Sequence, residues 1–150
     1  MKNAINIQNK RARFEYLLFD KFITGIQLGG TEIKSIREGK ASIKEAYCVF
    51  HEGELWIRNM QIDAYSNASF FNHKPRADRK LLLNKKELNK IEKYLKVKGN
   101  TVIPLKMFIS EKGWAKLNIA CAQGKKLHDK RQSLKEKDDK RAVDRAMKDH

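Results

Sequence analysis

The feature that most constrains this chain is its last 27 residues, which cannot enter a core. From Gly124 to His150 charged side chains dominate, and the apolar ones are only Leu127, Leu134, Ala142, Val143, Ala146 and Met147. Burying so few cannot offset the entropy of ordering the segment. Local signals nevertheless encode a helix near residues 134–148. Ser133 and Glu136 have capping-box spacing. The i,i+4 pairs Glu136–Lys140 and Asp144–Lys148 add ~0.2–0.5 kcal/mol each. A helix of that length is marginal alone in water. The chain therefore divides into a folded unit over residues 1–123 and a basic tail over 124–150, disordered or helical, that orders against a polyanion.

Charge points to the same partner. The net charge of +15 divides into +11 for residues 1–123 (23 basic, 12 acidic) and +4 for the tail (10 basic, 6 acidic). A field that is positive throughout favours a phosphate-rich ligand, because every neutralised phosphate releases counterions. Cys48 and Cys121 lie far apart with no CxxC spacing, which suggests reduced buried thiols rather than a zinc site or disulfide. No apolar run is long enough to span a membrane, and the first eight residues lack the apolar block of a signal peptide. A cytoplasmic protein with no membrane partner, monomeric in isolation, is expected.

Along the chain, Asn9-Lys10-Arg11-Ala12-Arg13 opens the ordered part, and Phe14–Leu28 reads as extended. Thr31–Glu38 reads as a short helix with Thr31 as N-cap and Gly39 as its stop, leaving Lys34 and Arg37 on one face. Ser42–His51 and Glu54–Asp63 read as strands joined at Glu52-Gly53, with Trp56 read as core in preference to a base-stacking platform. Ala64–Asn84 is a long connection carrying Phe70, Phe71 and dense cations. Asn84-x-x-Glu87 is a capping box opening a helix to about Lys96 that buries Leu88, Ile91 and Leu95. Residues 73–98 hold ten Lys/Arg against three acids, a second basic surface. Ile103, Leu105, Met107 and Ile109 alternate in a strand where Pro104 suggests an edge or bulge. Trp114–Cys121 turns Ala115, Leu117, Ile119 and Cys121 inward. The expected fold is mainly β: an OB-fold-like antiparallel barrel of six strands, with two or three flanking helices and the basic C-terminal tail.

No constellation for catalysis emerges. The four histidines, His51, His73, His128 and His150, form no metal-binding pair, and Gly29-Gly30 lacks the spacing and lysine of a phosphate loop. The expectation is therefore a protein without catalytic residues, metal or cofactor, and not an enzyme. His128 stands out: flanked by Lys126, Asp129, Lys130 and Arg131, it could stack on an exposed base while its neighbours hold phosphates, or it could be an ordinary surface histidine.

Four runs carry a resemblance: Asn9–Arg13, Gly30–Ala41, Phe71–Leu83 and Gly124–Arg131. In that order and spacing they resemble the SsrA-binding protein family, also called small protein B (SmpB), over about residues 8–148. The resemblance implies an RNA-binding adaptor of trans-translation. Such a protein binds the tRNA-like domain of transfer-messenger RNA, stands in for the missing anticodon arm, and delivers the RNA to stalled ribosomes. By motif, Asn9, Lys10, Arg11, Arg13, Tyr16, Lys34, Arg37, Lys80 and Leu82 would face that RNA, with Gly124 and Lys125 anchoring the tail. His128, Asp129, Lys130, Arg131, Lys135 and Lys137 would enter the decoding centre and mRNA channel of the small subunit. The chain departs from the family at Ile23, where many members carry glutamate, and at Asp138-Asp139, which interrupts the basic tail. The alternative is a structural ribosomal protein with a barrel and a basic tail.

Overall fold

The computed structural model describes residues 5–68 and 71–125. In chain order the elements are β1 (Asn6–Gln8), α1 (Ala12–Glu15), β2 (Tyr16–Ile26), α2 (Gly30–Arg37), β3 (Ala41–Ser42), β4 (Tyr47–His51), β5 (Glu54–Arg58), β6 (Gln61–Ile62), β7 (Arg79–Leu82), α3 (Lys85–Leu95), β8 (Asn100–Ile109) and β9 (Ala115–Gly124). Strands β8, β4, β5, β7, β2 and β9 pair in that order, and β9 returns to β8, closing an antiparallel ring of six. Closure leaves no free edge in the ring. β1 adds to β8 outside it, and β3 pairs with β6.

The barrel interior is aliphatic: Leu55, Ile57, Met60, Ile62, Leu81, Val102, Met107, Leu117 and Ile119 are fully buried. α3 contributes Leu88 and Ile91 to this core, and α2 contributes Ile36. The capping box at α3 forms as the sequence predicts: Asn84 Oδ1 accepts from Glu87 N at 2.8 Å, and Asn84 N donates to Glu87 Oε1 at 3.2 Å. The β4–β5 turn also forms, with Glu52 and Gly53 at φ of 51° and 80° as a two-residue primed turn demands. Gly39, at φ of 76°, ends α2: its N–H bonds Ile36 O while Lys40 N–H bonds Ser35 O.

Several elements differ from expectation, for identifiable reasons. β1 extends the ordered chain upstream of Asn9, and a helical turn, α1, precedes β2, anchored by buried Ala12. α2 is capped at Gly29 rather than Thr31, because Glu32 reaches back to Gly29 N–H at 2.8 Å. Asn59, at φ of 61°, breaks the expected strand after Arg58, so Gln61–Ile62 pairs with Ala41–Ser42 instead. A strand, β7, lies inside the expected long connection and completes the ring. Trp56 is half-buried outside the core cluster, opposite Lys80 in register, with its Nε1 donating to His51 O at 3.3 Å. Pro104 does mark a bulge: register against β9 slips between Pro104 and Lys106. That slip breaks the alternation, so Met107 faces the barrel core while Ile103 joins a separate cluster under α1.

One buried cation ties these parts together. Arg79 is 3% exposed; its Nε pairs with Glu32 on α2, Nη1 donates to Met60 O at 2.8 Å, and Nη2 donates to Lys74 O and Pro75 O at 3.2 and 3.1 Å. Arg79→Met removes the counter-charge of Glu32 and orphans the carbonyls. Truncating one partner of a buried pair costs ~3–5 kcal/mol. Urea unfolding of the variant is expected to show a loss of that size, and a loss below ~1 kcal/mol would contradict a structural role for Arg79.

Candidate nucleic-acid interface

The outward face of the barrel is set by the pleat of β2. Phe22, Thr24 and Ile26 turn inward, so Lys21, Ile23 and Gly25 turn outward. In register they meet Ala120, Asn118 and Lys116 of β9, and Gly25 also meets Leu82 of β7. Ile23 is 62% exposed, Leu82 54% and Trp114 66%. An isolated exposed apolar residue needs no explanation, but several on one cationic face do.

A cleft lies at each end of this strip. At the first, Gln8, Asn9, Lys10, Ala12 and Arg13 face Lys21, Leu105, Lys106 and Asn118 around about 370 Å³. Four cations line it and no carboxylate does. Asn9 holds the corner of β1 and α1 against the β8 bulge, its Nδ2 donating to Pro104 O at 3.1 Å and its backbone N–H to Leu105 O at 2.9 Å. At the second, Ile26, Leu28, Ile33, Arg37, Leu82 and Trp114 enclose a more apolar cleft of about 370 Å³. A Cβ added to Gly113 would lie 3.6 Å from Arg37 Nη2, so this guanidinium rests beside the β8–β9 turn. A cationic seat and an aromatic shelf on one face are the elements that single-stranded or structured RNA uses.

The residues expected from the motifs divide accordingly. Asn9, Lys10 and Arg13 meet at the first cleft, and Arg37 and Leu82 at the second. Arg11 instead pairs with Glu15 at 3.2 Å, Lys80 with Glu54 at 3.7 Å, and Lys34 lies 5.6 Å from the Tyr65 ring centre. Tyr16 packs on the cluster under α1 and stands opposite Gly124, while Lys125 N–H bonds Glu15 O at 2.9 Å. His128, Asp129, Lys130, Arg131, Lys135 and Lys137, and the helix near 134–148, lie outside the described residues.

The polar and basic side chains Asn72, His73, Arg76 and Arg79 of the long connection are structural. His73 Nε2 faces Ile62 O and its Nδ1 faces Thr31 Oγ1, both at 2.9 Å. A carbonyl only accepts, so in the neutral ring Nε2 carries the proton and Nδ1 accepts from the hydroxyl. Asn72 accepts from Tyr65 N and donates to Tyr65 O, and Arg76 donates to Asn59 and Gln61. The second basic surface over 73–98 is thereby reduced, since Arg76 and Arg79 serve the fold. Lys21, Lys106 and Asn118 are the residues the motifs missed. They belong to no run, and only strand register brings them together.

Burial pushes the Cys48 thiol far above its ordinary range, and burial, then Asp20, raises Cys121 to about 11. Neither is a nucleophile at neutral pH. Among the described residues no His, Cys, Asp and Glu cluster could hold a metal ion, and no helix is long and apolar enough to cross a membrane. Neither thiol is expected to react with Ellman's reagent at pH 8 until denaturant is added; rapid labelling of the native protein would contradict the burial. Because an unfolded thiol ionises near 9.0 and folded Cys121 only near 11, the fold should lose stability as pH rises through that window.

A family model described as SmpB protein matches residues 6–149. A protein of Christiangramia forsetii named SsrA-binding protein is 52% identical over 150 residues, covering 100% of this chain and 96% of its own length. One of the same name from Phocaeicola vulgatus is 58% identical over 144 residues, covering 96% of each. Among solved structures, a chain described under "tmRNA-SmpB: a journey to the center of the bacterial ribosome" superposes with a TM-score of 0.70 at 40% identity, over 83% of this chain and 87% of that one.

Proposed function

The chain belongs to the SmpB protein family, and from that premise we propose that it is an RNA-binding adaptor of trans-translation, with transfer-messenger RNA and the ribosome as its partners. The observation that carries this reading is the strip along β2, where two clefts present cations, an exposed tryptophan and exposed aliphatics on one rigid face. Relatives over the whole chain are named for SsrA binding, and the solved relative is described with tmRNA in the ribosome.

In this reading the two parts of the chain divide the work. The barrel holds the tRNA-like domain of transfer-messenger RNA through Lys10 and Arg13 at one end of the strip and Arg37 and Leu82 at the other. Asn9 acts as the tie that keeps α1 in place, and Tyr16 supports that helix from below. Ile23 sits exposed in the middle of the strip, so contact there is apolar in this chain. The segment after Gly124 enters the decoding centre and the empty mRNA channel. There His128 stacks on a base while Asp129, Lys130, Arg131, Lys135 and Lys137 follow along the channel. Peptidyl transfer belongs to the ribosome, and the protein's contribution is recognition and positioning.

Truncation after Gly124 tests the division. Gel shift with a transcribed tRNA-like domain is expected to show retained binding, while tagging of a nascent chain on ribosomes stalled without a stop codon is lost. Loss of both together would overturn the two-part reading. His128→Ala in the full chain should leave the gel shift unchanged and lower the tagging rate by roughly tenfold or more, as for loss of ~1–3 kcal/mol of base stacking. An unchanged rate would remove His128 from the mechanism.

A further inference from the structure

We propose that the cleft between α1 and the barrel seats a backbone phosphate of the bound RNA, with Lys21 and Lys106 as contacts beyond those the motifs assign. This deepens the RNA-binding reading and rests on it. The ring brings the two lysines together. Lys21 of β2 stands opposite Ala120, and Lys106 of β8 stands opposite Asn118, so β9 alone separates them. Two strand spacings across β9 and an offset of two residues along it make this a gap of ~12 Å, which two flexible lysine side chains can close around one phosphate.

Both strands bulge at this point. Register against β9 slips between Leu18 and Lys21 on one side and between Pro104 and Lys106 on the other. Each bulge shifts the pleat so that the lysine following it faces outward, and bulges are used to re-aim side chains at functional sites. Asn118 of β9 lines the cleft between the two lysines and offers an amide there. Lys10 and Arg13 close the cleft from α1 and its approach.

The electrostatics select an anion. Among the described residues Lys10, Arg13 and Lys21 form no ion pair, and Lys106 lies 5.4 Å from the Phe108 ring centre. Other cations of the domain, Arg58, Arg79, Lys80 and Lys90, have carboxylate partners. A phosphodiester supplies the missing charge, and displacing its counterions drives binding without reading sequence.

The test measures binding of the full chain to a transcribed tRNA-like domain as a function of salt. Lys21→Gln/Lys106→Gln is expected to lower the slope of log K against log salt by about one unit and to weaken binding roughly tenfold near 0.15 M salt. Lys21→Arg/Lys106→Arg, which keeps both charges, should retain the wild-type slope. Lys44→Gln removes an exposed lysine from the turn before β4 and should change the slope by well under half a unit. A Gln pair indistinguishable from wild type, or a control that lowers the slope equally, overturns the phosphate seat while leaving RNA binding intact. A wild-type chain that binds no folded RNA even at low salt overturns the underlying reading and the seat together.

Discussion

The structure depends on the burial of one guanidinium. Arg79 lies inside the protein with Glu32 and three backbone carbonyls around it, and those partners come from α2, from the segment after β5 and from the long connection. A buried charge is tolerated only when every donor is matched, so the segments that supply those acceptors must stay where they are. The pair thus fixes the helix that carries Arg37 and the strand that carries Lys80 and Leu82. His73 reinforces the same junction by joining Thr31 to Ile62. A motif dense in basic residues therefore does two kinds of work: part of it builds the fold and part of it faces outward.

The outward face gains its shape from irregularity. A regular six-stranded ring would repeat the same in-and-out alternation along every strand. The slips in β2 and β8 interrupt that repetition beside β9 and open a concave site where a flat sheet would otherwise lie. α1 and β1 then cover one side of the opening, held by the two bonds from Asn9. Asparagine at this position acts through geometry, as a strap over the bulge.

What could be read from the residues follows the range of the interactions involved. Asn84 and Glu87 are three positions apart, so their mutual capping and the helix it starts are written locally, as is the turn at Glu52-Gly53. The barrel class follows from strand patterning and the chain's length. Arg79 resembles any other cation in a basic run, because Glu32 and Met60, which supply its counter-charge and one of its acceptors, are distant in sequence. β7 is short and embedded between charges, so its periodicity is too brief to signal a strand. Lys21 and Lys106 acquire meaning only from pairing with a common neighbour, information that no window along the chain contains. Trp56 departs from expectation because its size suggests burial, whereas its place in the pleat is on the outer surface.

The path of the last strand has a mechanical consequence. β9 is bonded along both of its edges, to β2 and to β8, and it runs through Gly124 to the point where Lys125 N–H meets Glu15 O. Any tension carried by the chain beyond that point enters the protein along the axis of β9. The two ladders then share the load in shear, with many bonds resisting at once, so no edge strand can be peeled away one bond at a time. A terminal extension can be pulled or twisted while the domain that bears it keeps its form.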